Sequence, residues 1–392
     1  MRAKTTRLAL LIISAVSPSV LAQDPGVITA GRFDLIPRLT VEYFHDSNLY
    51  LAEQNVVSTD ILAFSPSLQI LFDDQIHPIS LTYTLQDATH ASRETEDYTD
   101  ELIDITAALF PDELHRVDFS LSLEKSHDER GEDSISGIPD NLDESSGLDE
   151  YDSNTAELTY SGEFIGSILG VQLNLREQER RYTTNLKETG EFDLDESGRN
   201  ILLYWNVAPT VQLILNRMYT ESRYPSGDGS DETIRSIGLG YQPYSFLALD
   251  VELGQTETEQ LSGTASKEDS WDIVFVWLPL SYSSVTVSST NTVEESLGGE
   301  VGGIVVSQAN GISWSHLWTD DFRTTFDVSN TAEDHSPSRK DDVTNYGAEF
   351  SYQFRRWLAL SLFLQNEERT SSGNNVEQYQ QDIYGLRVVM TL

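Results

Sequence analysis

The stretch Trp357-Leu358-Ala359-Leu360-Ser361-Leu362-Phe363-Leu364-Gln365-Asn366-Glu367 decides the fold. Leucine stands at 358, 360, 362 and 364, and mostly small or polar residues stand between. A period of two sends alternate side chains to opposite faces of an extended strand, whereas a helix would repeat its apolar positions at i, i+3 and i+4. Arg355-Arg356 precede the run as a tight turn, and the polar segment 370–379 follows it. The unit is a short turn, an aromatic residue, an alternating strand and a polar loop.

That unit recurs along the chain. Ile79, Leu81, Tyr83 and Leu85 alternate with Ser80, Thr82 and Thr84, and Val171, Leu173 and Leu175 alternate with Gln172, Asn174 and Arg176. Leu247 to Leu253 repeats the pattern, and Tyr384, Leu386, Val388, Met390 and Leu392 close the chain. Tight turns fall near Asp73-Asp74, Pro111-Asp112, Glu163 to Gly166, Ala208-Pro209, Pro243-Tyr244, Pro279-Leu280, Asp320-Asp321 and Arg355-Arg356. Long polar loops fall around 45–56, 88–97, 127–150, 183–198, 223–232, 259–269, 295–303, 334–343 and 370–379. This spacing predicts an all-β, transmembrane, antiparallel up-and-down β-barrel of about 18 strands, with 16 as the alternative count. Strands of about 10 to 13 residues are longer than those of a soluble sandwich, and the blade repeat of a propeller is missing.

Aromatic residues gather at two heights, as they do where hydrocarbon meets headgroups. One set, including Phe72, Phe110, Trp205, Tyr244, Trp277, Trp318 and Trp357, lies beside the tight turns. The other, Tyr43, Tyr50, Tyr98, Tyr151, Tyr182, Tyr219, Trp271, Tyr346 and Tyr379, lies beside the long loops and is expected to form a second girdle.

Composition narrows the function. The 392 residues hold 64 acidic and 25 basic side chains, a formal charge of −39, with no cysteine. Thiol chemistry, disulfides and Cys-ligated zinc are therefore excluded, and no basic patch reads as a nucleic-acid surface. With 15 Phe, 17 Tyr and 6 Trp, the chain is too aromatic for an acidic disordered tail.

The N-terminus reads as a cleaved secretory signal over residues 1–22. Arg2, Lys4 and Arg7 form its basic head, Leu8 to Val16 its short apolar run, and Val20-Leu21-Ala22 its cleavage site. Residues 23–392 then form one outer-membrane β-barrel in a Gram-negative bacterium.

Facing away from the apolar stripes are Arg38, Glu42, Asp118, Glu124, Arg176, Asp250, Glu252, Arg323, Asp327 and Arg387, which are expected to line a wet lumen. Catalysis finds little footing. Ser315 and His316 are adjacent and so point to opposite faces of a strand, and the Gly-x-Ser-x-Gly, His-Glu-x-x-His and Walker patterns are absent. The reading is not an enzyme, and no cofactor is implied. In the acidic segment 127–150, Asp128, Glu129, Glu132 and Asp133 are the residues that would ligate Ca²⁺ in a flexible loop. The same composition also describes a solvated, self-repelling loop.

Gly31-Arg32-Phe33-Asp34-Leu35-Ile36-Pro37 and His45-Asp46-Ser47-Asn48-Leu49-Tyr50 resemble the opening of the outer-membrane β-barrel porins associated with exopolysaccharide and capsule biosynthesis. Those proteins begin with a Phe-x-Leu-x-Pro strand and an Asp-Asn-hydrophobic-aromatic loop, and here Ser47 interrupts the second motif. Further likeness lies in Ser65-Pro66-Ser67-Leu68, in Tyr241-Gln242-Pro243 with Phe246 to Val251, and in Trp314-Ser315-His316. Barrel assembly signals usually end in Phe or Trp, whereas this chain ends in Leu392.

The resemblance implies a passive channel for exopolysaccharide export or hydrophilic solutes, working with periplasmic export components. Lipid and lipopolysaccharide are the expected surroundings. The alternative is a non-conducting structural or adhesive barrel whose acidic loops bind surface polysaccharide or divalent cations.

Overall fold

The computed structural model describes residues 26–72, 77–130, 147–164, 166–225, 227, 229–296, 303–335, 339–372 and 378–391. Among the described residues nineteen strands run antiparallel to their neighbours, and eighteen of them close into a barrel. A short strand β1 (Ile28–Ala30) leads into β2 (Phe33–Asp46), β3 (Thr59–Phe72), β4 (Ile79–His90), β5 (Tyr98–Asp112) and β6 (His115–Asp128). Next come β7 (Asp149–Phe164), β8 (Leu169–Tyr182), β9 (Leu194–Ala208), β10 (Val211–Arg223), β11 (Gly229–Tyr244), β12 (Leu247–Gln260) and β13 (Ala265–Leu280). The last are β14 (Ser283–Ser296), β15 (Gly303–Thr319), β16 (Phe322–His335), β17 (Arg339–Arg355), β18 (Leu358–Ser371) and β19 (Tyr379–Thr391).

Each barrel strand pairs with the next in sequence, and β19 returns to β2 through a register running from Ile383↔Asp46 to Thr391↔Arg38. Closure gives each strand a partner on both sides, which the hydrocarbon interior demands because it offers no hydrogen-bonding solvent. One edge would still remain open, because β2 extends past the end of β19. β1 covers it, with Ile28↔Leu35, Thr29↔Asp34 and Ala30↔Phe33, by folding back through Gly31 at a φ of +70°. The sequence reading did not separate this strand from β2, since three residues are too few for alternation to show.

The expected face assignment appears as an apolar belt. Leu360, Leu362 and Leu364 are exposed, as are Leu203 and Leu215, Ile237 and Leu253, and Leu386. Beneath the belt lies a ring of exposed aromatics at the tight-turn end, among them Phe110, Phe164, Trp205, Tyr244, Trp277, Trp318 and Trp357. Many of the tight hairpins at this end carry a register shift, for example at Leu109/Asp112, Tyr241/Tyr244, Trp277/Leu280 and Gln353/Arg355. Bulges at a barrel rim add local twist where the strand must reverse.

Most barrel strands are longer than the expected 10 to 13 residues, reaching 17 in β15 and β17, while β4, β10 and β19 fall within that range at 12, 13 and 13 residues. Three segments expected to be long loops are instead strand almost to their tips: β10 ends at Arg223 and β11 begins at Gly229, only Leu261 to Thr264 separate β12 from β13, and β16 ends at His335 with β17 beginning at Arg339. Their acidic composition reads as loop, but bases oppose the acids. Arg223 meets Asp231 at 2.6 Å, Lys267 meets Glu257 at 2.7 Å and Lys340 meets Asp334 at 2.7 Å. These pairs hold the hairpins together above the apolar belt, where alternation of hydrophobicity no longer marks a strand.

Candidate functional site: the barrel interior

Among the described residues, the interior built from the inward face of every strand has no large apolar core. The buried apolar clusters are small: Ala248, Val274 and Val276 in one, Ile61, Ala63 and Ala88 in another, and Tyr151, Tyr182 and Phe192 in a third. Between them the inward positions are mostly polar, and they form two walls.

On β5 to β8 the inward face carries charge. Arg116 binds Asp118 through Nε at 2.8 Å, Asn174 donates to Thr159 at 2.7 Å and also to Glu157, and Arg176 donates to Gln178 at 2.6 Å. A niche of about 450 Å³ opens here, lined in part by Ser80, Thr106, Asp118, Ser120, Glu157 and Thr159. Strands β14 to β17 lie diametrically opposite in the strand order. Their inward face is hydroxyl-rich, with Ser288, Ser313, Ser315, Thr325, Ser329 and Ser351, and it also carries the charges Arg323, Asp327 and Glu349. Ser351 also bonds to Ser361 of β18 at 2.7 Å.

The register places all ten charged residues singled out from the sequence on the inward parity, opposite the exposed apolar residues. They divide into two sorts. Arg387 bonds to Glu42 across the closing seam and reaches Glu349 on β17 at 3.3 Å, with its guanidinium 5.0 Å from the Phe363 ring centre. Glu252 accepts from Asn216 at 2.9 Å and from Ser236, Asp118 is held by Arg116, and Arg176 lies 3.9 Å from Glu196. By contrast Arg38, Glu124, Asp250, Arg323 and Asp327 make no ion pair among the described residues. Glu42, Arg176, Glu252 and Arg387 tie strand to strand, whereas Asp118 is held within its own strand β6 by Arg116. The second sort is held only by the backbone.

The end of the barrel bearing the long loops is organised by a buried network that the sequence reading missed. Arg130 and Glu96 are 3% and 5% exposed and meet at 3.0 Å, and the Tyr50 hydroxyl donates to the same carboxylate at 3.3 Å. Burial, reinforced by Glu96, pushes that hydroxyl above its usual pKa. Asn48, buried in the loop after β2, donates to the carbonyl of Ala52 at 2.9 Å and to that of Gln380 at 3.1 Å, tying this loop to β19. Tyr182 donates to Asp128 at 2.8 Å, and the Arg180 guanidinium lies 5.0 and 5.2 Å from the ring centres of Tyr151 and Tyr182.

This network corrects the second aromatic girdle. Tyr43 and Tyr346 are exposed on the outside as expected, but Tyr50, Tyr151, Tyr182 and Tyr379 are buried and Tyr98 faces inward, half-buried. Parity explains Tyr98, Tyr151, Tyr182 and Tyr379, because each shares the register face of the polar lining. For these four the height along the chain matches the expectation and the face does not, whereas Tyr43, Tyr219, Trp271 and Tyr346 lie on the outward face.

Of the four residues considered for calcium, Glu132 and Asp133 lie outside the described residues. Asp128 is buried, accepts from Tyr182 and sits opposite Asp149 in the register, while Glu129 is exposed. A different trio brings potential ligand atoms within 4.8 Å of one another: Glu333, His335 and Asp341. Asp341 is already bound by Arg339, by Arg369 at 2.6 Å and by Ser371 at 2.5 Å. Two guanidinium groups on one carboxylate make this an ion-pair network, unfavourable to a further cation. His316 lies on the outer face among Trp318 at 4.4 Å, Tyr282 at 5.3 Å and Trp314 at 5.6 Å, while Ser315 points inward.

An eighteen-stranded closed barrel with an apolar outer belt, an aromatic ring and a polar interior is a barrel of the outer-membrane type. Among solved structures the chain is similar to OccK2 (OpdF) of Pseudomonas aeruginosa in complex with glucuronate, with 9% identity, 91% of this chain and 98% of that one covered, and a TM-score of 0.53. OccAB3 of Acinetobacter baumannii gives 10% identity, 91% and 99% coverage and a TM-score of 0.52. The FrpB iron transporter of Neisseria meningitidis (F5-1 variant) gives 9% identity, 91% and 82% coverage and a TM-score of 0.50. These likenesses establish the fold. No family model matches the chain, and no curated protein does.

Proposed function

We propose that this protein is a passive outer-membrane channel for hydrophilic solutes, with a sugar polymer exported from the periplasm as its principal cargo. The observation that carries the reading is the interior: walls of hydroxyl and charged side chains face one another across β5 to β8 and β14 to β17, with no large apolar core among the described residues. Eighteen strands spaced about 4.8 Å apart and tilted by about 40° enclose a backbone cylinder roughly 36 Å across. Side chains of about 5 Å on each side leave room for a hydrated sugar chain wherever loops do not intrude.

Hydroxyl side chains exchange hydrogen bonds with a polyhydroxylated solute as readily as with water. Inward carboxylates outnumber inward guanidinium groups, which disfavours polyanions and favours neutral or weakly charged chains. The resemblance of the first strand and loop to porins of exopolysaccharide clusters supports the same cargo. In this reading Arg38, Glu124, Asp250, Arg323 and Asp327 set selectivity, Glu42, Arg176, Glu252 and Arg387 brace the wall, Asp118 is neutralised by Arg116, and the barrel performs no catalysis. Residues 1–22 direct export and are removed, so the mature chain begins at Gln23, as N-terminal sequencing would read.

Planar bilayers test the proposal. Purified protein should give stable ohmic steps with a preference for cations at low salt, and the variant E124Q/D250N/D327N should lower that preference while the barrel stays folded. Liposomes containing it should admit neutral oligosaccharides faster than uronic-acid oligomers of equal length. A folded barrel that passes no current would refute the channel. The buried Asn48, Glu96 and Arg130 network would then favour the second reading, a mouth held shut by its loops on a structural or adhesive barrel.

A further inference from the structure

Just above the apolar belt, each strand presents its first polar outward residue, and these residues form a ring around the barrel. On most strands the residue is neutral or acidic: Gln255 on β12, Asp269 on β13, Ser289 on β14, Asn310 on β15. On β9, β10 and β11 it is arginine three times running, at Arg199, Arg217 and Arg235. Among the described residues no other three neighbouring strands repeat this, in a chain whose acids outnumber its bases 64 to 25.

The register makes the arrangement costly unless something answers it. Arg217 and Arg235 are direct cross-strand partners, and Arg199 is diagonal to Arg217 because it pairs with Tyr219. Like charges directly opposite on neighbouring strands repel. Arg235 reaches Glu257 at 3.0 Å, but Lys267 shares that carboxylate at 2.7 Å. Arg199 and Arg217 have no acidic partner among the described residues.

Below the two opposed arginines, Ile201, Leu203, Leu215, Ile237 and Leu253 line a groove of about 350 Å³ on the outer wall that includes both guanidinium-bearing residues. The groove is apolar toward the membrane and cationic at its upper end.

We infer that Arg217 and Arg235, with Arg199 beside them, bind the phosphate of an outer-leaflet lipid whose acyl chain lies in the groove below. In a Gram-negative outer membrane that lipid is lipopolysaccharide, held through a lipid A phosphate. Guanidinium groups bind phosphate oxygens bidentately, and one phosphate between two opposed arginines converts their repulsion into two charge-assisted contacts. The apolar wall supplies the second half of the recognition, so a free phosphate ion satisfies only the upper part of the site. The site lies on the lipid face and is independent of whether the bore conducts.

Native mass spectrometry of the delipidated full-length barrel in detergent tests the inference, with hexa-acylated bisphosphorylated lipid A, its dephosphorylated form and inorganic phosphate as probes. The wild-type protein should retain lipid A. R217Q/R235Q should weaken retention at least tenfold, whereas K125Q, at the same height on β6, should change it less than twofold. Dephosphorylated lipid A should bind at least tenfold more weakly than lipid A, and millimolar inorganic phosphate should not displace the lipid. Equal retention by wild type and R217Q/R235Q would overturn the site. Equal binding of the two lipids would reduce it to a bare apolar groove, and displacement by inorganic phosphate would make it an ion site; either result overturns the inference. Both of these arms need only the wild-type protein, so they decide the matter even if the double variant fails to fold.

Discussion

Leu362 and Gln365 stand three residues apart on β18 and should respond oppositely to the same substitution. Leu362 pairs with Phe350 on β17 and Leu386 on β19, and it faces outward with 43% exposure. Gln365 pairs with Gly347 and Ile383 and faces the interior. A tilted antiparallel strand gains about 2.6 Å of depth per residue. The outward belt on β18 runs from Trp357 in the aromatic ring to Asn366, so it is roughly 23 Å tall, close to the expected 25 Å. Leu362 then lies about 13 Å above the ring, near the bilayer midplane. Arginine on the lipid face costs about 2–4 kcal/mol at the midplane and about 0–1 near the interface. L362R should therefore destabilise the barrel by about 3 kcal/mol, L364R by less because it lies some 5 Å closer to the outer interface, and Q365R by under about 1 kcal/mol because its side chain enters a wet bore beside a glycine. Equilibrium guanidinium unfolding of barrels refolded into thin phosphatidylcholine vesicles would measure all three. Equal costs for L362R and Q365R, or a larger cost for Q365R, would refute the assignment of faces on which the channel rests.

Two further perturbations probe the closing seam. R387M leaves Glu42 and Glu349 facing the bore without their shared cation; the site is part-exposed, so the loss should be about 1–2 kcal/mol, read as a lower guanidinium midpoint, and an E42Q/R387M double-mutant cycle should show coupling above about 0.5 kcal/mol. G385A places a methyl group 2.6 Å from the Tyr43 carbonyl oxygen, against backbone that cannot swing aside, so it should cost about 1–3 kcal/mol and loosen the β19–β2 pairing, seen as faster hydrogen exchange at Leu386 and Tyr43.

Most of the fold was legible because lipid imposes an external rule on the sequence. Within the belt every second residue must be apolar, so Leu358 to Leu364 and Tyr384 to Met390 announce both strand and face. Above the belt that rule lapses. Asp231, Glu257 and Asp334 sit in strands because bases oppose them, and nothing local in an acidic, serine-rich segment reveals a partner on another strand. The inward tyrosines fail for a related reason: Tyr151 and Tyr182 lie where girdle residues are expected, yet a parity count carried up from Leu158 and Leu175 would have turned both of them inward. The arginine row was likewise invisible, because Arg199, Arg217 and Arg235 become neighbours only once the register is known.

A barrel whose described interior holds only small apolar clusters cannot be held rigid by a packed core, so its wall must draw stiffness from the strand ladder and from side chains that bridge strands. The bracing bonds here cross between strands. Glu252 takes its donors from β10 and β11, Arg387 bridges β2 and β17, and Asn174 on β8 reaches back to β7. Four inward charges, Glu42, Arg176, Glu252 and Arg387, are spent in this way, and each is partly neutralised where it stands. In the channel proposed above, those left without an ion partner would present the less cancelled part of the wall's field to a solute. Bracing and selecting are therefore opposed demands on the same kind of residue, and a lumen can meet both only by dividing the labour. Because Asp250 and Glu252 are two positions apart on one strand, with one unpaired and the other bonded to two neighbours, that division is made residue by residue along a strand and not sector by sector around the ring.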